Sequence, residues 1–383
     1  MQSIAMRRKP SRAHILTAII IAAVYVLVFA AEQLLPASSM LFIVLKKGAT
    51  YALVAVSMNL LNGFTGIFSL GQAGFMLLGA YTFAIFTIPA ESREIVYQYY
   101  NGGLIRFSLP VIPALVLSGL VAALFAFLIG LPVLKLKSDY LAIATLGFAE
   151  ILRTIIQWDK LGRLTNGSFP ISQLNTFKEQ LSGGPFKKLS FVFPFFLVAV
   201  VCIGIIALMI HSTYGRAFKA IRDDEIAAEA MGINLAKHKM ISFVTSSFFA
   251  GIGGAMYAMY VGSTNAAPFT SALTYEILLI VVIGGIGSIT GSVLASFLYI
   301  ASQEWWLRGL DSGEFLGITS PIFRNGFRLV VFSVIIMIFV LFFRNGIMGD
   351  REFSSARLVR NIVNLPATVA GKFRKKAAKE GQA

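Results

Sequence analysis

Ten apolar stretches punctuate the chain, at 14–31, 48–62, 67–88, 109–131, 140–157, 189–211, 240–262, 273–286, 289–303 and 326–343. Between Ile15 and Ala31 no charged residue occurs for 17 positions. Runs of this kind satisfy their backbone in hydrocarbon as helices, so the pattern predicts an all-α, polytopic transmembrane bundle of about ten spans. Several stretches are short for an ordinary crossing, and the pairs 48–88 and 273–303 are open to a re-entrant reading that would make the count odd.

Composition sharpens this picture. With 57% hydrophobic and 13% charged residues and a mean hydropathy of +0.77, no water-soluble class of this length fits. One cysteine, Cys202 in an apolar run, excludes a disulfide framework, and His14, His211 and His238 are too scattered to form a metal centre. No cofactor or metal is expected.

The net charge of +15 sits at helix flanks and tails without an aromatic-interleaved basic patch, which excludes nucleic acid as a partner. The segments 1–13, 132–139, 212–239 and 344–383 carry 20 basic residues in 89 positions, against 11 in 99 for the alternate segments 32–47, 89–108, 158–188, 263–272 and 304–325. Basic residues favour the cytoplasmic side, so both termini are expected there. The expected organisation is a basic cytoplasmic tail at 1–13, a membrane domain at 14–343 with a cytoplasmic loop at 212–239, and a basic tail at 344–383 that touches anionic membrane lipid.

Glycines at membrane depth carry the most information. Residues 59–81 place Gly63, Gly66, Gly71, Gly74 and Gly79 beside Asn59, Asn62, Thr65, Ser69 and Gln72. Residues 277–299 place Gly284, Gly285, Gly287 and Gly291 beside Ser288, Thr290 and Ser292. Such runs make poor plain helices, and polar groups survive in hydrocarbon only against protein or a wet cavity. Two glycine-broken segments, one in each half, point to a transporter whose pathway runs between them. The alternative is close helix packing through small residues with no substrate contact.

A third feature is the loop 213–239, where Arg216, Lys219 and Arg222 precede Asp223, Asp224, Glu225 and Glu229, with Gly232 as a stop. Acids in the first turn and glycine after the last predict a short helix outside the membrane. Its small apolar face, Ala227, Ala228, Ala230 and Met231, suits docking on a soluble partner, the alternative being a solvated connector.

These features together resemble the permeases of branched-chain amino acid ABC transporters, specifically the M type. The resemblance rests on Asn59 to Gly66, Ser69 to Ala73 and Gly79 to Tyr81; on Asp139 to Phe148 with Glu150; on Gly215 to Ala217, Ile221 to Ala228 and Gly232-Ile233; and on Gly284 to Ser288 with Gly291. It covers about residues 50–345. The chain departs from the family at three places. Glu225 stands seven residues before Gly232 with Ile226 where alanine is usual, Leu164 to Ser168 replace a Thr-Gly-Gly-Pro run, and Arg344-Asn345-Gly346 lacks a proline.

The resemblance implies a sister permease subunit, two ATP-binding subunits and an extracytoplasmic substrate-binding protein, in the inner membrane. It implies a substrate pathway near Asn59, Gly63, Gly66, Ser69, Gly71, Gln72, Thr145, Glu150, Gly284, Gly285, Gly287 and Gly291, and ATPase coupling through Arg216, Arg222, Asp223, Asp224, Glu225, Glu229 and Gly232. The chain carries no Gly-x-x-x-x-Gly-Lys-Ser/Thr, so a nucleotide would be held by another chain. Glu150 and Arg153, three apart, are expected to pair with each other rather than with substrate, and Glu276 is a further candidate for substrate contact. Other readings are a permease of the same family for urea, short amides or aromatic acids, and an ion-coupled secondary transporter. No catalytic constellation lies at membrane depth, so no enzyme is expected.

Overall fold

The computed structural model describes residues 23, 25–30, 32–34, 39–136, 138–181, 192–311, 314–315, 318–319, 326–342 and 346–349. The tail 1–13, most of the first apolar stretch and the basic tail from 350 onward lie outside the described residues.

The helices, in chain order, are α1 (Tyr25–Leu34), α2 (Met40–Asn59), α3 (Gln72–Thr87), α4 (Arg93–Val96), α5 (Val111–Val133), α6 (Ser138–Ile156), α7 (Gly162–Thr165), α8 (Phe177–Leu181), α9 (Phe193–His211), α10 (Thr213–Asp223), α11 (Glu225–Ala230), α12 (Leu235–Val261), α13 (Ser271–Gly284), α14 (Ile289–Ala301) and α15 (Phe327–Phe342). Among the described residues a helix lies in each of the ten stretches that the hydropathy pattern marks, in the first of them only from Tyr25 onward. A two-residue antiparallel pair, Glu314–Phe315 with Ile318–Thr319, leaves the class all-α.

Among the described residues four helices are long and apolar enough to cross a membrane, α2 with the turn that extends it to Phe64, α5, α9 and α12. Two bent pairs, Gln72–Thr87 with Ala90–Val96 and Tyr140–Ile156 with Asp159–Thr165, raise this to six. The chain is thus a multi-pass membrane protein. Boundaries differ from the sequence pattern in places: α3 starts at Gln72 and α12 at Leu235, and residues 40–47 belong to α2 rather than to an external segment. Ser39 caps that helix by accepting from the Leu41 N–H. Lys47 stays inside it because its ammonium meets Glu304 at 2.5 Å and lies over the Tyr51 ring, so the charge is paired across the bundle.

The outward faces are apolar. On α5, Ile112, Val116, Leu120, Leu124 and Leu128 repeat every four residues and are all exposed, as are Leu197, Val201, Ile205 and Leu208 of α9. An outward apolar stripe is the inverse of a soluble helix and fits a hydrocarbon solvent.

The centre is built from α2, α3, α5 and α12. No hydrophobic driving force separates side chains from lipid tails, so close packing must hold these helices together. Glycines supply it. A Cβ on Gly79 would overlap the Gly251 backbone, one on Gly254 would overlap the Met76 carbonyl, and one on Gly119 would come 2.7 Å from the Phe248 ring. The backbones of α3 and α12 therefore touch directly.

At one end of the bundle, Arg93 is buried and donates to the carbonyls of Ile85, Ile88, Ile105 and Phe107, fixing the connection 88–110. The backbones of Ile171 and Thr264 pair at the same end. The opposite end gathers the α2–α3 and α13–α14 turns, the α10–α11 connector and residues 346–349.

Candidate functional site

The first glycine-rich stretch is a helix end, a loop and a helix start. After Asn59 the chain widens into a π-turn, Leu60–Phe64, then runs as an irregular loop to Gly71. Gly66 takes φ +74, which favours glycine. Each polar side chain then finds a partner. Thr65 Oγ1 donates to the Leu60 carbonyl and bonds Ser242 of α12 at 2.6 Å. The Ser69 N–H donates to Asn62 Oδ1 at 3.2 Å, and the Leu70 N–H donates to Thr145 Oγ1 of α6 at 3.0 Å. Gln72 Nε2 donates to Ser57 Oγ at 2.7 Å, and the Ala73 N–H, free at the start of α3, donates to Thr274 of α13. Gly71 is needed where Thr145 approaches, since a Cβ there would sit 3.1 Å from the Thr145 carbonyl.

Thr145 also donates to the Ala142 carbonyl. Thr145→Val keeps the shape and strands the part-buried Leu70 N–H, a loss of about 1 kcal/mol, the low end of the range for an unsatisfied buried group. We expect the apparent melting temperature of the purified protein to fall by about 2 °C; an unchanged melting curve would show that the loop 65–71 does not depend on this bond.

The second stretch is a tight turn between α13 and α14. Gly285 and Gly287 take φ of +115 and +88. Ser288 caps α14 by accepting from the Gly291 N–H at 3.1 Å. Gly284 and Gly291 meet backbone to backbone. Residues 346–349 close the turn from outside, the Ile347 N–H donating to the Ile283 carbonyl at 2.8 Å and the Met348 N–H to the Gly284 carbonyl at 3.2 Å.

One side chain joins the two stretches. Asn59 Nδ2 donates toward the Gly285 carbonyl, the Ser288 carbonyl and Ser292 Oγ at 3.3, 3.0 and 2.8 Å, and its Oδ1 accepts from the Gly287 N–H at 2.8 Å.

The connector outside these turns consists of two helices, where the charge pattern predicts one. Ser212 caps α10 and Asp224 caps α11, accepting from the Ile226 and Ala227 N–H groups at 2.9 and 3.1 Å. Asp223 thus ends the first helix rather than opening the second. Gly232, at φ +84, ends α11 as its position implies. Glu225 turns back to Lys239 of α12 at 2.6 Å. Arg216 and Glu229 are exposed, and Ile226 and Met231 are more than four-fifths exposed. Arg222 is divided between Asp223 and the Gly63 carbonyl, which its Nη1 reaches at 3.2 Å. Beside it opens a cleft of about 420 Å³ lined by Gly66, Leu134, Lys135, Leu141, Glu225 and Lys239.

The structure therefore brings Asn59, Gly63, Gly284, Gly285, Gly287 and Gly291 together, and groups Ser69 and Gly71 with Thr145. Glu150 stands apart, accepting from Arg153 at 2.7 Å on the partly exposed side of α6. Among the described residues no three His, Cys, Asp or Glu side chains gather to hold a metal. The residues that sequence reasoning missed are Gly251, Gly253 and Gly254 of α12 and the Lys47–Glu304 pair. The small residues Ser247, Gly251 and Ala255, four apart, were the available signal for the former; nothing local marks a pair 257 residues apart.

Buried polar turns clamped between apolar helices, with a capped charged connector outside them, define a multi-pass all-α membrane protein. Residues 40–343 match the family described as branched-chain amino acid transport system / permease component, and the chain belongs to that family. The high-affinity branched-chain amino acid transport system permease protein LivM of Salmonella typhimurium is 33% identical over 276 residues, 66% of this chain and 60% of that protein. LivM of Escherichia coli K12 matches to the same extent. The permease protein LivH of Escherichia coli K12 is 22% identical over 328 residues, 84% of this chain and 98% of that protein. The chain spans 60% of the length of the LivM relatives. No solved structure matches it significantly.

Proposed function

We propose that this chain is a permease subunit of an ATP-driven importer and forms half of the membrane pathway for branched-chain amino acids. Its partners on this reading are a sister permease, two ATP-binding subunits and an extracytoplasmic binding protein that selects the cargo. The end bearing the connector, with both termini, faces the cytoplasm, and the membrane is the inner one. The unit at 14–343 is the membrane domain, 212–239 its coupling loop, and 1–13 and 344–383 are basic tails on lipid. The chain transports and does no covalent chemistry.

The observation that carries the reading is the connector. A helix held by Asp224, by Gly232 and by the Glu225–Lys239 pair is rigid, yet it presents Ile226 and Met231 to solvent. Exposed apolar side chains beside charges on a capped element are what a soluble motor needs to grip. The substrate pathway lies between this chain and its sister, bordered by the two glycine turns and by the partly exposed face of α6 that bears Glu150. The polar residues Asn59, Ser69, Gln72 and Thr145 hold those turns in shape from within.

Purification from cells that express this chain at its native level tests the assignment. An ATP-binding subunit should co-elute with this chain in detergent. A chain that elutes without any ATPase and moves solute down an ion gradient would overturn it in favour of a secondary transporter.

A further inference from the structure

A helix ends with its last carbonyls unpaired, and in a membrane protein those groups must be met by protein. Three elements meet this need for one another here. The carbonyl of Gly63, at the end of the α2 extension, accepts from Arg222 of the connector. The carbonyl of Gly285, just past α13, accepts from Asn59, four residues before Gly63, and the Gly287 N–H donates back to the same side chain. Asn59 also reaches Ser292 on α14. Asn59 and Ser292 are fully buried, and the turn 284–288 is buried except at Ile286. Gly63 has no room for a side chain, since a Cβ would overlap Asn59 and lie 2.6 Å from the Gly287 nitrogen.

We propose that Asn59 is a positioning residue that locks the α13–α14 turn to the end of α2, and that Arg222 transmits connector movement to this lock through the Gly63 peptide. The second half rests on the reading of the connector as the ATPase contact; the first half does not. Arg222 is the connector side chain that hydrogen-bonds the α2 end, and its guanidinium is oriented by Asp223 on the other side. The Gly63 peptide and the Asn59 side chain sit one helical turn apart and share contact with Gly287. A displacement of Arg222 therefore moves the end of α2 and, through four hydrogen bonds to one amide, the turn of a second hairpin. A buried network fully satisfied in this way has two discrete arrangements, made or broken, rather than a soft continuum.

Two measurements test the halves separately. In the assembled complex, Arg222→Ala should keep its ATP-binding subunits while substrate moved per ATP falls about tenfold, within the range of ordinary coupling between sites. Arg222→Lys, which cannot span both Asp223 and Gly63, should recover only part of it. A side chain that served folding alone would lower yield and leave this ratio unchanged, and an unchanged ratio in Arg222→Ala would overturn the transmission route.

For the lock, spin labels on Phe68→Cys and Ile286→Cys, both exposed, with Cys202→Ala, report the distance between the two turns. The distribution should be narrow, and Asn59→Ala should broaden it. Ser292→Ala, which removes one acceptor of Asn59 and is the milder change, should broaden it less. An unaltered distribution in both variants would overturn the lock. This second measurement needs no ATPase, so its outcome stands even where the assignment of the connector's partner fails.

Discussion

Replacing Gly254 with leucine should leave no folded protein in the membrane. Even a single methyl at Gly254 would overlap the Met76 carbonyl, and that atom belongs to the backbone of α3, which is buried on nearly every side. The neighbour cannot rotate away as a side chain would. The helices must separate, which also breaks the Gly79–Gly251 contact one turn off and the packing of Gly119 of α5 on Phe248. Overpacking of a core costs typically about 1–3 kcal/mol. Opening a backbone contact shared by the central helices should exceed that and consume most of a margin of about 5–15 kcal/mol. Size-exclusion profiles of a fluorescent fusion in mild detergent report the result. Gly254→Leu should give only aggregate, whereas Gly204→Leu, on α9 with nothing within 4 Å of an added Cβ, should give the wild-type peak. A monodisperse Gly254→Leu would show that α3 and α12 do not pack through this surface.

Reversing Glu225 and Glu229 to lysine together should uncouple ATP hydrolysis from transport without unfolding the spans. The two carboxylates act differently. Glu225 faces Lys239, so its reversal sets two ammonium groups against each other and frees α11 from α12. Glu229 is exposed, and on the proposed reading of the connector it faces the ATP-binding subunit. Exposed ion pairs contribute only about 0–1 kcal/mol to folding, so the bundle tolerates the change while the orientation of Ile226 and Met231 is lost. Substrate-stimulated ATPase activity in a reconstituted complex should fall to the unstimulated level. Glu225→Lys with Lys239→Glu restores the pair in reverse and should recover much of the stimulation, since it re-anchors α11 while leaving Glu229 intact. Normal stimulation in the double reversal would reduce the connector to a solvated loop.

Much of this arrangement was legible in the sequence because its causes are local. Apolar runs marked α2, α3, α5, α6, α9, α12, α13, α14 and α15, Gly232 marked the end of α11, and the spacing of Glu150 and Arg153 marked their ion pair. The glycine and polar runs marked two breaks, although they are turns at helix ends rather than interruptions within spans. What sequence missed depends on distant neighbours. The first half of α2 was cut off at Lys46 and Lys47 because charges usually flank a span, and the acid that pairs Lys47 lies on the turn after α14. The α10 helix was hidden because its amphipathic pattern is short and its cap, Ser212, directly follows the apolar run of α9. Asn59 read as one polar residue among several; its bonds join residues 226 to 233 positions away.

On the proposed function, ATP hydrolysed on another chain drives solute through this one. Proteoliposomes containing the complete complex, with ATP enclosed on the connector side and the binding protein with labelled leucine on the other, test it most directly. Uptake should require ATP and the binding protein, and should persist after ionophores dissipate every ion gradient. Uptake that continues without ATP and stops when the gradients collapse would contradict it.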